Sequence, residues 1–123
     1  MTTPVADWTI VNARVLAVFG PVLILTGVAG FLVPPRLALM SGAPAYNIFH
    51  IVFGAIGTAL VVSKAATGIA AFNLGFGALD LYQAVAGVVG FFPARQFRYK
   101  TADHFAHVVL GAGLAAVGWL GLR

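Results

Sequence analysis

The chain has no cysteine and no glutamate, and its only acids are Asp7, Asp80 and Asp103. Without cysteine there is no disulfide, no thiolate nucleophile and no cysteine-ligated zinc or iron–sulfur site. Charge of either sign is scarce, at 8% of 123 residues, where a soluble domain carries about 25%. So few charges cannot cover a water-facing surface of this size. Hydrophobic residues make up 61% of the chain and the mean hydropathy is +1.00. The main solvent is therefore lipid. The net charge of +4 comes from seven bases, nearly all at the ends of apolar runs. There they meet anionic headgroups, which argues for membrane anchoring and against a nucleic-acid surface. No catalytic motif is present, which leans away from an enzyme.

What is present is apolar length. Runs at roughly 13–33, 46–64, 67–92 and 103–122 each approach the ~20 residues a helix needs to cross the hydrocarbon core. The first run is too long for a signal-peptide core, lacks a small-residue cleavage site and precedes three further runs, so it reads as a span. Backbone groups in lipid must be bonded internally, so the runs are helices. The expected fold is an all-α membrane protein, one domain over 1–123. Its four transmembrane helices form two similar hairpins (13–64 and 67–122) with both termini on one side. Pro34-Pro35 and Pro93 end the first and third helices. Trp8 suits the headgroup level, and the bases and aromatics of Ala94–Lys100 read as an interfacial belt. Arg14, Lys64 and Arg123 on one side face Arg36, Arg95, Arg98 and Lys100 on the other, too even a split to orient the chain.

The chain repeats itself. Asn47–Ala55 matches His104–Ala112, with His50 on His107 and Gly54 on Gly111. Gly27-Val28-Ala29-Gly30-Phe31 matches Gly87-Val88-Val89-Gly90-Phe91, which makes the two long loops differ by three residues and sets Gly20 opposite Asp80. The second and fourth helices then run in the same direction, as in parallel repeats. Glycine pairs such as Gly27/Gly30 and Gly54/Gly57 let helices approach closely in lipid.

The polar residues inside the runs carry any chemistry. His50 and His107 each lie about one turn inside their helix, near the long-loop face. Two histidines at one depth suit the axial ligands of a b-type haem or the magnesium of a chlorophyll-type pigment. Gly54 and Gly111, one turn deeper on the same face, would leave room for the macrocycle. The plainer alternative is hydrogen bonding and tight helix contact. Asp103, His104 and His107, with His50, offer a mixed nitrogen and oxygen set for Zn, Fe or Cu; the plainer role for Asp103 is a helix cap. Asp80 lies midway along the third run, with Tyr82 and Gln83 beside it. A mid-membrane acid is costly and should face the bundle interior, as a proton or ion relay, a partner contact, or a hydrogen bond to Tyr82 or Gln83.

At Asn47-x-x-His50-x-x-x-Gly54, at Asp103-x-x-x-His107-x-x-x-Gly111 and at the two Gly-x-x-Gly-Phe segments, the chain resembles the DUF4383 family of small bacterial four-helix membrane proteins. That resemblance implies a four-span fold in a bacterial inner membrane and no established activity. Asp80 departs from the family pattern, which has an apolar residue or tyrosine there.

Three function classes follow. The first is an accessory or structural subunit of a respiratory or photosynthetic membrane complex, holding haem or chlorophyll at His50 and His107, with other subunits or further copies as partners within the bilayer. The second is a small oligomeric transporter or channel with Asp80 in the pathway. The third is a metal-dependent membrane enzyme using Asp103, His104, His107 and His50.

Overall fold

The computed structural model describes residues 7–123; the lead before Asp7 lies outside them. The protein is an all-α membrane protein with four helices long and apolar enough to span a bilayer. They are α1 (Trp8–Leu32), α2 (Pro44–Val62), α3 (Ala66–Val89) and α5 (Thr101–Leu122), with the single turn α4 (Ala94–Phe97) before the last. At ~1.5 Å rise per residue, helices of 19 to 25 residues match a hydrocarbon core of ~30 Å.

Local chemistry sets the helix ends. The Asp7 carboxylate accepts from the backbone N–H of Thr9 and Ile10 at 3.1 and 3.4 Å and starts α1 at Trp8, five residues before the apolar run. Pro44 opens α2, where its missing N–H costs nothing. Gly90 ends α3 in the left-handed region at φ 89° and bonds back to Ala86 O at 2.7 Å, the usual glycine C-cap.

α1 pairs with α2, and α3 with α5, in two hairpins. Each pair closes on facing glycines. A Cβ added at Gly54 would stand 2.7 Å from Gly20 O, and one added at Gly111 would stand 3.0 Å from Gly77 O. With no hydrophobic gain between helices in lipid, such backbone approach supplies the dispersion contacts that hold them together.

These contacts correct the register of the repeat. Gly20 and Gly54 in the first hairpin do what Gly77 and Gly111 do in the second. Gly30 receives Asn47 as Gly87 receives His104. Every equivalence is 57 residues apart, from 20 to 77 and from 54 to 111. The long connections 33–43 and 90–100 are therefore equal in length. The Gly-x-x-Gly-Phe match is a coincidence of small residues: Gly30 lies within α1, whereas Gly90 is a C-cap. Leu23, not Gly20, is the counterpart of Asp80, and both are buried.

The bundle is apolar outside and polar at two levels inside. Val18, Leu25, Val62 and Val88 face outward, while Asn12, Asn73, Gln83 and Asp103 are buried. At the terminal end, Asn73 Nδ2 donates to Asn12 Oδ1 at 2.9 Å, and Asn12 Nδ2 donates to Val117 O at 2.9 Å. These bonds tie α3, α1 and α5 together. In mid-bundle Phe19, Phe49, Phe53, Phe72 and Phe76 gather around Leu23 and Leu114. Phe76 stacks on Phe72 and meets Phe19 edge-on, both at 5.5 Å between centroids. This aromatic layer separates the terminal polar level from the one near the long loops.

Candidate functional site

The second polar level is organised by Tyr46. Its ring is 1% exposed and sits in an aromatic nest, 4.1 Å from the His50 ring and 4.9 Å from Phe97 by centroid. The Tyr46 hydroxyl and His107 Nε2 share a hydrogen bond of 2.8 Å. α2 and α5 are not packing neighbours, so this bond is what links His50 and His107 across the bundle. Tyr46 and His50 are one turn apart on α2, which stacks their side chains on one face.

Beside them lies a cavity of about 140 Å³. Tyr46, His50, Asp80 and His107 supply its titratable lining, and Phe19 and Phe76 form aromatic walls. Only Oδ1 of Asp80 carries a hydrogen bond among the described residues, from Gln83 Nε2 at 3.1 Å. Gln83 Oε1 in turn accepts from the Tyr99 hydroxyl at 2.8 Å. Nδ1 of His50 and Nδ1 of His107 are buried without a partner. Buried polar atoms in folded proteins are nearly always bonded, so each orphan calls for an explanation.

The long loops roof this level. The Asp103 Oδ2 atom accepts from the backbone N–H of Ser41 at 2.8 Å and of Lys100 at 2.7 Å. It pins the first loop to the start of α5. Ser41 Oγ donates to Phe97 O. Lys100 Nζ donates to Pro35 O and Ala38 O at 2.6 and 2.7 Å. The segment 94–100 is thus not only an interfacial belt. Phe97 is buried against Ala43 and Tyr46, while Arg95 and Arg98 stay exposed. Burial pushes the half-buried Tyr99 phenol well above its ordinary range, helped by the nearby acids Asp103 and Asp80.

The candidate residues separate into distinct roles. His50, His107 and Asp80 meet at the cavity. Gly54 and Gly111 do not; α1 fills the notch at Gly54 and α3 fills the one at Gly111, so neither leaves room for a macrocycle. An apolar cavity of about 150 Å³ holds a single benzene ring, whereas a porphyrin is four pyrrole rings joined by methine bridges into one much larger plane. The Tyr46 hydroxyl also occupies His107 Nε2. The interior at His50 and His107 does not fit a haem or chlorophyll.

The metal set does not converge either. Asp103 Oδ2 is held by two backbone amides of the loops, and His104 turns toward α3, over Gly87 and against Tyr99. Among the described residues no three of His, Asp, Glu or Cys group to hold a metal ion. Tyr82 is also separate: it is 44% exposed and its hydroxyl donates to Phe92 O at 2.6 Å, so Gln83 alone serves Asp80.

Tyr46 and Ser41 organise this level, and the residue pattern left both unassigned. Tyr46 could have been found from its place four residues before His50. Ser41 carried no signal, because its bonds reach 56 and 62 residues along the chain.

No protein-family model matches the chain, and no curated protein or solved structure matches it either. The likeness to DUF4383 therefore stands on its short motifs alone.

Proposed function

We propose that this multi-pass membrane protein is an intramembrane binding protein, taking a small neutral hydroxyl-bearing group into the cavity beside Tyr46. One observation carries the reading: Tyr46, His50, Asp80 and His107 line a single cavity whose other walls, Thr26 apart, are apolar. Polar and ionisable groups in lipid are expensive and are generally retained where they act. A mostly apolar cavity with a few convergent polar groups is the usual form of a small-molecule site. Asp80 Oδ2, which no described residue bonds, favours a ligand that donates a hydrogen bond. No lysine or arginine lines the cavity, so an anionic headgroup would enter with its charge unpaired.

The transport reading has less support. Asp80 is 4% exposed and faces inward, away from any pore between copies, and the phenylalanine layer stands between the two polar levels. A role as a subunit of a larger complex is tested in the same preparation, by what copurifies.

The test is calorimetric binding of 4-methylphenol to the protein in lipid nanodiscs. Saturable binding that weakens about tenfold in Asp80→Asn is expected, from one lost buried hydrogen bond. Absence of saturable binding, or wild-type affinity in Asp80→Asn, overturns the proposal.

A further inference from the structure

A second hollow adjoins the cavity. Between α1 and α5 runs an apolar groove of about 460 Å³, lined by Val15, Val18, Val109, Gly113 and Val117 among others. Phe19, Val22 and Leu110 line both the groove and the polar cavity, so the two adjoin across these side chains. The side chains at the junction reach the surface: Val22 is 47% and Leu110 41% exposed. The cavity therefore opens sideways toward lipid, through the looser seam between the two hairpins. Along the groove no glycine seals α1 to α5; their close approach, Gly121 against Asn12, lies at the terminal end. Nothing stands within 4 Å of a Cβ built at Gly113.

Resting on the reading of the cavity above, we infer that the ligand is a lipid-soluble phenol or quinol, with its ring in the cavity and its hydrocarbon tail in the α1–α5 groove. Three features select that class. The cavity matches one six-membered ring in volume, at the scale of about 150 Å³ known to hold benzene. Tyr46, Phe19 and Phe76 offer ring faces and edges against which an aromatic ring packs better than an aliphatic one. The groove gives the tail a path along α1 from Val22 to Val15, about 10 Å at ~1.5 Å rise per residue. A tail there stays among apolar side chains and leaves the bilayer without crossing a polar layer. A ring hydroxyl in the cavity donates to Asp80 Oδ2, the carboxylate oxygen that Gln83 leaves free.

The experiment uses a 4-decylphenol carrying a diazirine at the end of its tail, photolysed with the full chain in nanodiscs and mapped by mass spectrometry. Labelling should concentrate in 15–22 and 109–117 and be displaced by excess 4-decylphenol but not by decanol. Asp80→Asn should reduce it about tenfold. Gly113→Phe, which fills the groove, should abolish groove labelling and leave 4-methylphenol binding intact. Labelling spread over the lipid-facing surface, or displaced equally by decanol, overturns the inference. If 4-methylphenol binds while the tail labels elsewhere, only the groove assignment falls. If 4-methylphenol does not bind at all, the binding site itself is refuted.

Discussion

Tyr46 and His107 are joined by a 2.8 Å hydrogen bond, although the helices that carry them are not packing neighbours. The bond spans the interior from the first hairpin to the second. It holds two imidazoles and a phenol at the edge of one cavity. In the repeat the counterpart of Tyr46 is Asp103, 57 residues on, and that acid has turned to the loops. The two hairpins share a scaffold but contribute different groups to the site.

Tyr46→Phe preserves the ring and removes the hydroxyl, leaving His107 Nε2 without its partner. A buried polar group so orphaned costs about 1–3 kcal/mol. The melting temperature in detergent should fall accordingly, and 4-methylphenol affinity should fall with it. An unchanged melting temperature would show that the bond contributes nothing.

The glycines divide by what faces them. Gly77→Ala drives a Cβ into the backbone of Ala115 and Gly111, and overpacking of this kind costs about 1–3 kcal/mol. At Gly75 a Cβ meets nothing within 4 Å, so Gly75→Ala should be neutral or stabilise by up to ~1 kcal/mol through helix propensity. Thermal denaturation of the two variants side by side checks this, and equal effects would refute the close-approach account of the hairpins.

Asp103→Ala removes the acceptor shared by the amides of Ser41 and Lys100. Hydrogen bonds to a charged group contribute about 1.5–3 kcal/mol. The loop 33–43 should then be cut by protease at a rate well above wild type, while the α3–α5 seam, which rests on glycines, keeps its protection in hydrogen exchange. Unaltered proteolysis of 33–43 would remove Asp103 as the pin of the roof.

Tyr99 sets a pH dependence outside the spans. Its phenol is raised above the ordinary tyrosine value by burial. The unfolded chain therefore releases this proton first as pH rises. Stability from Tyr99 is fully present below about pH 10, the unperturbed value, and declines above it. Denaturation followed across that range should show a decline that Tyr99→Phe lessens. A decline of equal size in the variant would assign it to other groups.

Much of the fold was readable in the residues. Four apolar runs in a chain almost without charge leave no solution but spanning helices. Placement of Asp80 in the interior followed from the cost of polar groups in lipid. The repeat was visible but misregistered by three residues in its first helix. Gly-x-x-Gly-Phe recurs easily in a glycine-rich chain, and only the partner facing each glycine tells equivalent positions apart. The macrocycle ligands failed for the same reason: Gly54 and Gly111 look like room along a helix until the neighbouring helix is in place.

The amino-acid sequence by itself determined the solvent, the number of spans and the depth of each polar group, because hydropathy and helix rise act along one helix at a time. Tertiary structure alone decided which polar groups meet. Tyr46 reaches His107 across 61 residues, and Asp103 is drawn to Ser41 across 62. The groove beside the cavity exists only where α1 and α5 have no glycine closing them together, as at Gly113. Such distances and gaps are set by how two hairpins seat against each other, a relation that no single helix encodes.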